Sequence, residues 1–124
     1  MLAARDIMTR DVVTIDPNAT VAEAIDRIRR GGIRCLIVER PSPGHSYGIV
    51  TQRDIAYWVI ANGLDSGEVR VEEIMTSPLV VVHGEMPVVD VAQLMRFTGL
   101  SRLPVLADGE LQGIVSVSDI LAVA

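Results

Sequence analysis

Apolar positions recur along the chain with two different periods. Val21, Ala24, Ile25 and Ile28 stand at i, i+3, i+4 and i+7, and Val88, Val91, Ala92 and Met95 repeat that spacing. Each set predicts an amphipathic helix with one face toward a core. Thr20 and Glu23 form a candidate capping box for the first helix, and Pro87 suits the opening turn of the second. Gly31-Gly32 and Gly99 are placed to end them as left-handed caps. Short apolar runs bounded by turn residues predict strands over 12–15, 35–39 and 47–50, and again over 79–82, 103–106 and 111–115. Asp16-Pro17-Asn18 and His83-Gly84-Glu85 separate each leading strand from its helix, and Asp108-Gly109 marks a tight hairpin. Helix-like runs over 55–61 and 120–124 close the two series.

The two series are one pattern written twice. Ile7-Met8-Thr9 returns as Ile74-Met75-Thr76, 67 positions on, and the same offset carries Val21 onto Val88, Gly32 onto Gly99, Leu36 onto Leu103 and Val38 onto Val105. Gly48 then falls on Gly113 at an offset of 65, so the first copy holds two extra residues in its 39–45 loop. Each copy reads strand–helix–strand–strand–helix, too little to cover its own apolar sheet, which predicts two copies packed face to face about a pseudo-two-fold axis. The expected division is repeat one over 4–62, a polar linker over 63–72, and repeat two over 73–124.

One stretch carries candidate chemistry. Gly48-Ile49-Val50-Thr51-Gln52-Arg53-Asp54 recurs as Gly113-Ile114-Val115-Ser116-Val117-Ser118-Asp119, a strand end running into a helix. A hydroxyl three residues before an acid is a capping box. The same geometry also suits a ligand: free N–H groups and the positive dipole end attract phosphate, the hydroxyl donates to a phosphate oxygen, and the Asp accepts ribose hydroxyls. The box alone favours the cap, whereas its recurrence behind Gly-Ile-Val favours a ligand site.

Composition narrows the classes. Hydrophobic residues are 49% and charged residues 22% of 124, which describes a globular chain; with aromatics at 3% its core must be aliphatic. A net charge of −5 argues against general nucleic-acid affinity, and Arg27, Arg29 and Arg30 are a local group on one helix. The single cysteine, Cys35, excludes an internal disulfide and fits a cytoplasmic protein. Arg5, Asp6 and Arg10 interrupt any signal-peptide core, and runs such as 55–61 are too short to span a membrane. His45 and His83 lack matched spacing, so no metal site is expected. No nucleophile–base pair or paired acids stand out, and an enzyme is not expected. The start at Met1 and the end soon after the last helix are what a free-standing module would show.

In order, these motifs are Ile-Met-Thr at each repeat start, a helix ending in Gly-Ile or Gly-Leu, Leu103-Pro104-Val105, and Gly-Ile-Val-[Thr/Ser]-x-x-Asp followed by Ile. Over residues 4–124 the chain resembles the CBS domain pair, or Bateman module. Ser116-Val117-Ser118-Asp119-Ile120-Leu121 is similar to the nucleotide-binding repeats of the gamma subunit of AMP-activated protein kinase. The resemblance implies an α/β fold of the α+β type: two tandem β-α-β-β-α repeats packed sheet to sheet, with two ligand sites in the cleft between them. Carried over by position, one site would use Thr51, Arg53 and Asp54 with Leu79, Val80, Leu100, Ser101 and Arg102. The other would use Ser116, Ser118 and Asp119 with Val12, Val13, Ile33 and Arg34.

The chain departs from the family where a basic pair often precedes the Leu-Pro-Val strand. Repeat two has Ser101-Arg102 there and repeat one has Arg34-Cys35, and Ile37 stands in repeat one where repeat two has Pro104. Inequivalent sites are therefore expected. The function implied is a non-catalytic sensor of AMP, ADP or ATP that signals to a regulated partner protein, with no catalytic cofactor. S-adenosylmethionine or NAD(H) sensing and a ligand-free oligomerisation module are the alternatives. A homodimer is expected through apolar sides of the closing helices, including Ile55, Trp58, Val59, Ile120 and Leu121.

Overall fold

The computed structural model describes residues 1–77 and 80–124. In chain order its elements are α1 (Ala4–Ile7), β1 (Thr14–Ile15), α2 (Val21–Gly31), β2 (Cys35–Val38), β3 (Gly48–Thr51) and α3 (Gln52–Ile55). A π-helical turn (Ala56–Ile60) and a 3-10 turn (Val71–Glu73) follow, then β4 (Val82–His83), α4 (Val88–Thr98), β5 (Arg102–Ala107), β6 (Glu110–Ser116) and α5 (Val117–Ala122). They fall into two compact units. The first is Val13–Leu79; the second is Met1–Val12 together with Val80–Ala124.

Each unit is built on a three-stranded mixed sheet among the described residues. In the first, β1 runs parallel to β2 and β2 antiparallel to β3; in the second, β4, β5 and β6 repeat that order and sense. One face of each sheet packs on helices. Leu36, Val38 and Val50 meet Val21, Ala24, Ile28, Ile55, Val59 and Val71 in the first unit. Leu103, Val105 and Val115 meet Ala4, Val91 and Met95 in the second. The described core holds no polar or charged residue, so burial of aliphatic side chains, each about 1.5–3 kcal/mol, supplies the stability.

The predicted helix at 21–28 forms as α2, with refinements at both ends. The Thr20 hydroxyl accepts the Glu23 N–H at 3.2 Å, but the Glu23 carboxylate turns to Arg27 at 3.0 Å instead of reaching back, so only half the box is made. Gly31 remains helical, and Gly32 alone takes the left-handed cap, at φ 59°. Asp108 and Gly109 both have positive φ, as a tight two-residue hairpin turn demands. That turn lets β5 and β6 pair out to Ala107 and Glu110, beyond the expected strand ends. The longer loop in the first unit stops pairing at Val38 and Gly48. The leading strands are shorter than the predicted 12–15 and 79–82. β1 has two residues, β4 begins only at Val82, and Leu79 lies outside the described residues.

Two corrections bear on function. The closing helices start directly after the hydroxyl residue, at Gln52 and Val117, instead of at 55 and 120. In the first unit that helix passes into a π-turn, with Ala61 N–H donating to the Ala56 carbonyl at 2.9 Å and Leu64 to Val59 at 3.0 Å. Ile55 and Val59 then point into the core and are buried, so they leave the expected interface patch; Tyr57, Trp58 and Ile60 stand about 60% exposed. In the second unit Leu121 is exposed and Ile120 partly buried. The 63–72 segment, expected as a polar linker, is hydrogen-bonded back to the first unit. Val21 and Ala22 of α2 donate to the Val69 and Ser66 carbonyls, Val71 donates to the Ala19 carbonyl just before α2, and Val71 is wholly buried.

The leading motifs exchange between repeats. Thr76 makes two hydrogen bonds with Ile49 in the first unit, at 3.0 and 2.9 Å, and Thr9 makes two with Ile114 in the second, at 2.8 and 3.0 Å. Ile-Met-Thr of each repeat therefore edges the sheet that carries the Gly-Ile-Val of the other. The two glycines make room for it. A Cβ on Gly48 would meet the Met75 sulfur at 2.7 Å, and one on Gly113 would meet the Thr9 carbonyl oxygen at 2.5 Å. No helix among the described residues is long and apolar enough to cross a membrane.

Candidate functional site

The recurring motif sits at one kind of junction in each unit, where the last strand bends into the last helix. Thr51 and Ser116 are extended, at φ −115° in both, and the next residue is already helical. In the first unit Asp54 Oδ2 accepts the Thr51 N–H at 2.9 Å, and the Thr51 hydroxyl accepts the Asp54 N–H at 3.1 Å. In the second, Asp119 Oδ2 accepts the Ser116 N–H at 2.8 Å, and the Ser116 hydroxyl accepts the Asp119 N–H at 3.3 Å. Both capping boxes are complete. They occupy Oδ2 of each aspartate and leave Oδ1 as an acceptor, so the cap does not exhaust the carboxylate. The hydroxyls differ: Ser116 Oγ also donates to Asp119 Oδ2 at 3.0 Å, whereas the Thr51 hydroxyl has no acceptor among the described residues.

A second segment is tied to each junction. The Arg34 carbonyl accepts the Gln52 N–H at 3.0 Å, and the Ser101 carbonyl accepts the Val117 N–H at 3.0 Å. Register then pairs Cys35 with Thr51, and Arg102 with Ser116. Residues directly opposite on antiparallel strands share a face, with Cβ atoms about 4.5–5.5 Å apart. Because Leu36, Val38 and Val50 face the helices, Cys35, Ile37, Ile49 and Thr51 lie on the other face of the sheet. Likewise Arg102, Pro104, Ile114 and Ser116 lie opposite Leu103, Val105 and Val115. Each unit thus carries a hydroxyl and an aspartate at the end of the sheet face opposite its core, a face on which Ile37 and Pro104 are buried and Ile49 and Ile114 partly buried.

The first unit contains Thr51, Arg53, Asp54, Val13, Ile33 and Arg34; the second contains Val12, Val80, Leu100, Ser101, Arg102, Ser116, Ser118 and Asp119. Leu79 lies outside the described residues. The expected grouping matched Arg102 with the Thr51 motif and Arg34 with the Ser116 motif. The structure sets Arg102 on the same face as Ser116 of its own unit, and ties Arg34 to the residue after Thr51 of its own unit. Arg102 is half-buried with Nη1 3.5 Å from Ser101 Oγ, while Arg34 and Arg53 are exposed. Asp54 and Asp119 are half-buried, Val13, Val80 and Leu100 are exposed, and Ile33 packs on the first unit's core.

Two hollows lie elsewhere. One of about 350 Å³ in the first unit is lined by Trp58, Leu64, Val69, Glu73 and Ile74. One of about 330 Å³ in the second includes Arg5, Arg10, His83 and Gln112. Neither contains a motif hydroxyl or aspartate. Sequence reasoning missed the short turns that hold the Ile-Met-Thr segments. Asp6 accepts the Ala3 N–H at 2.8 Å and Glu73 the Arg70 N–H at 2.6 Å, and Ala4 and Val71 behind them are fully buried. Both features repeat at the 67-residue offset, which was the available signal.

Comparison with known proteins places this architecture. The CBS domain family model matches residues 4–61 and 71–124. The chain is 36% identical over 121 residues to an uncharacterised protein of Methanopyrus kandleri, spanning 95% of this chain and 60% of that one. It is 35% identical over 121 residues to a CBS domain-containing protein of Bacillus subtilis, spanning 97% of this chain and 84% of that one. Among solved structures, the hexameric CBS-CP12 protein from bloom-forming cyanobacteria matches with a TM-score of 0.92 at 48% identity, over 97% of this chain and 66% of that one. With two matches to one family model and the repeated junction built twice, the chain belongs to the CBS-domain family as a tandem pair of CBS repeats.

Proposed function

We propose that the protein is a non-catalytic regulatory module of the cytoplasm that binds an adenine nucleotide, AMP, ADP or ATP, and signals its level to a partner protein. The observation that carries this reading is the paired junction: a hydroxyl, an aspartate with a spare oxygen and an apolar sheet face, with an arginine close by in each unit. Thr51 or Ser116 would donate to phosphate, Asp54 or Asp119 would accept ribose hydroxyls, and the partly exposed Ile49 or Ile114 would lie against the base. Arg53, Arg34 and Arg102 supply positive charge in an acidic chain. Within each unit exposed apolar residues, Val13 in the first and Val80 and Leu100 in the second, are proposed to lie against the base, with Ser101 and Ser118 at the polar rim in the second.

A thermal-shift and calorimetry panel of AMP, ADP, ATP, S-adenosylmethionine and NADH tests this. A bound ligand at a hundredfold excess over Kd stabilises by about 2.7 kcal/mol, which a melting curve resolves. Stabilisation by adenine nucleotides, lost in an Asp54→Ala, Asp119→Ala double variant that still folds, supports the reading. A flat response to the whole panel would overturn it and favour a ligand-free interaction module. Self-association belongs to either reading, because Tyr57, Trp58 and Ile60 expose an apolar surface and the CBS-CP12 relative is hexameric. A homodimer is the simplest closed assembly of this kind.

A further inference from the structure

Going beyond the nucleotide reading, we propose that the hollow of about 330 Å³ in the second unit is a binding site for a small aliphatic α-amino acid, held by both of its charges. The hollow lies toward the hairpin end of the sheet, while the Ser116 junction lies at the other end of β6. Its volume falls at the lower end of the range of small-molecule sites, about 300–1,000 Å³. Arg5 and Glu85 line it and satisfy each other, 3.5 Å apart. Arg10 and Asp108 line it as well, and neither has an oppositely charged partner within ion-pair distance among the described residues. They do not pair with each other, so one hollow keeps a cation and an anion with space between them for a molecule carrying both signs. Met8, Val105 and Ala107 give it an apolar lining.

Local structure adds a donor and an acceptor. In the turn before α4 the Glu85 N–H donates to His83 Nδ1 at 3.3 Å. The matching turn of the first unit uses Asp16, whose Oδ1 accepts the Asn18 N–H at 2.7 Å. Aspartate is the ordinary acceptor in such a turn. Histidine does the same work and brings a donor with it, since in the neutral ring the hydrogen then sits on Nε2. On β6, Val105 pairs with Gly113 and Leu106 with Leu111, so Gln112 is the extra residue of a bulge. A bulge re-aims its side chain, and Gln112 lines the hollow. Its Nε2 donates to the Glu110 carbonyl at 3.3 Å, which leaves Oε1 to accept. The repeat itself does not demand these residues: the 67-residue offset carries Arg5 onto Glu72, Arg10 onto Ser77, and Asp16 onto His83. An amino acid's carboxylate would take the Arg10 fork and the His83 Nε2–H, and its ammonium the Asp108 carboxylate and Gln112 Oε1. Its side chain would lie against Met8, Val105 and Ala107.

Isothermal titration of the intact chain with leucine tests this, against isocaproate, which lacks the ammonium, and isoamylamine, which lacks the carboxylate. Leucine is expected to bind about tenfold more tightly than either analogue, the scale of one charged contact. Arg10→Ala is expected to weaken leucine roughly three- to tenfold and to leave isoamylamine unchanged. Asp108→Asn keeps a residue that tolerates the φ of 51° there, and should weaken leucine by a similar factor while leaving isocaproate unchanged. His83→Asp copies the turn residue of the first unit, so it should hold the melting temperature and still weaken leucine, which separates a ligand role from a turn role. No leucine binding at millimolar concentration, an analogue that binds as tightly as leucine, or unchanged leucine affinity in all three variants would overturn the proposal. None of these residues belongs to either junction, so that result would leave the nucleotide reading where it stands.

Discussion

The two glycines that open the Gly-Ile-Val motifs give an unequal pair of perturbations. Gly113 is packed beneath the Thr9 carbonyl: an added Cβ would lie 2.5 Å from that oxygen, 2.9 Å from the Met8 sulfur and 3.0 Å from Met8 Cγ. Ordinary contact begins near 3.4 Å. The Thr9 backbone must therefore retreat by roughly 0.9 Å, and it carries both hydrogen bonds of its pairing with Ile114. Losing them costs about 1 kcal/mol each, and overpacking adds about 1–3. Stiffening of the unfolded chain returns about 0.4–1. Gly113→Ala should then destabilise by roughly 2–4 kcal/mol.

At Gly48 the nearest atom, at 2.7 Å, is the Met75 sulfur, the far part of a flexible side chain; the Thr76 carbonyl oxygen and Val38 Cβ stand back at 3.3 Å. A methionine rotamer change relieves most of the conflict, so Gly48→Ala should cost about 1 kcal/mol or less. Urea denaturation followed by circular dichroism measures both, with the midpoint expected to move at unchanged slope. In a thermal melt the larger loss corresponds to a drop on the order of 10 °C for a chain of this size. Amide exchange at Thr9 and Ile114 should rise in Gly113→Ala well above the change at Ile49 and Thr76 in Gly48→Ala. Equal losses from the two substitutions, or a larger loss at Gly48, would refute the claim that backbone contact, rather than the glycine's own flexibility, sets the requirement.

Three further outcomes are expected. Asp54→Ala and Asp119→Ala should each lower stability by about 1 kcal/mol through the lost cap, and each should also weaken nucleotide binding at its own junction; calorimetry showing unchanged affinity in both would leave the aspartates as caps alone. Trp58→Ser removes an aromatic ring that is 59% exposed, so it should change folding stability by less than about 0.5 kcal/mol while lowering the mass seen by light scattering; an unchanged mass would move any interface elsewhere. Gly109→Ala places a side chain at φ 78° and should cost about 1 kcal/mol by chemical denaturation, whereas a neutral result would mean that the hairpin turn relaxes.

What was legible in the sequence divides along the range of the interactions. α2 could be read because its period, Thr20 and Gly32 all lie within a dozen residues, and the Asp108-Gly109 hairpin because two adjacent residues specify it. Both junction motifs were readable, since cap and candidate ligand geometry share one four-residue spacing. The π-turn had no local mark, because the bonds from Ala61 to Ala56 and from Leu64 to Val59 are chosen by which side chains the core accepts. The exchange of the Ile-Met-Thr segments was also hidden: the 67-residue offset shows that they repeat, but not whose sheet they edge, and that is decided by pairings more than twenty residues apart in sequence.

The arginines show most sharply why local reading stops where it does. Arg34 and Arg102 occupy similar places in two similar strings, one residue out of step. A strand turns a side chain to the opposite face with each residue. That single step puts Arg102 directly across from Ser116, while its counterpart opposite Thr51 is a cysteine and Arg34 stays in the approach to β2. Charge composition is the same either way, and so is the motif. Only the register shows that an arginine, Arg102, stands across from the Ser116 hydroxyl while none stands across from Thr51.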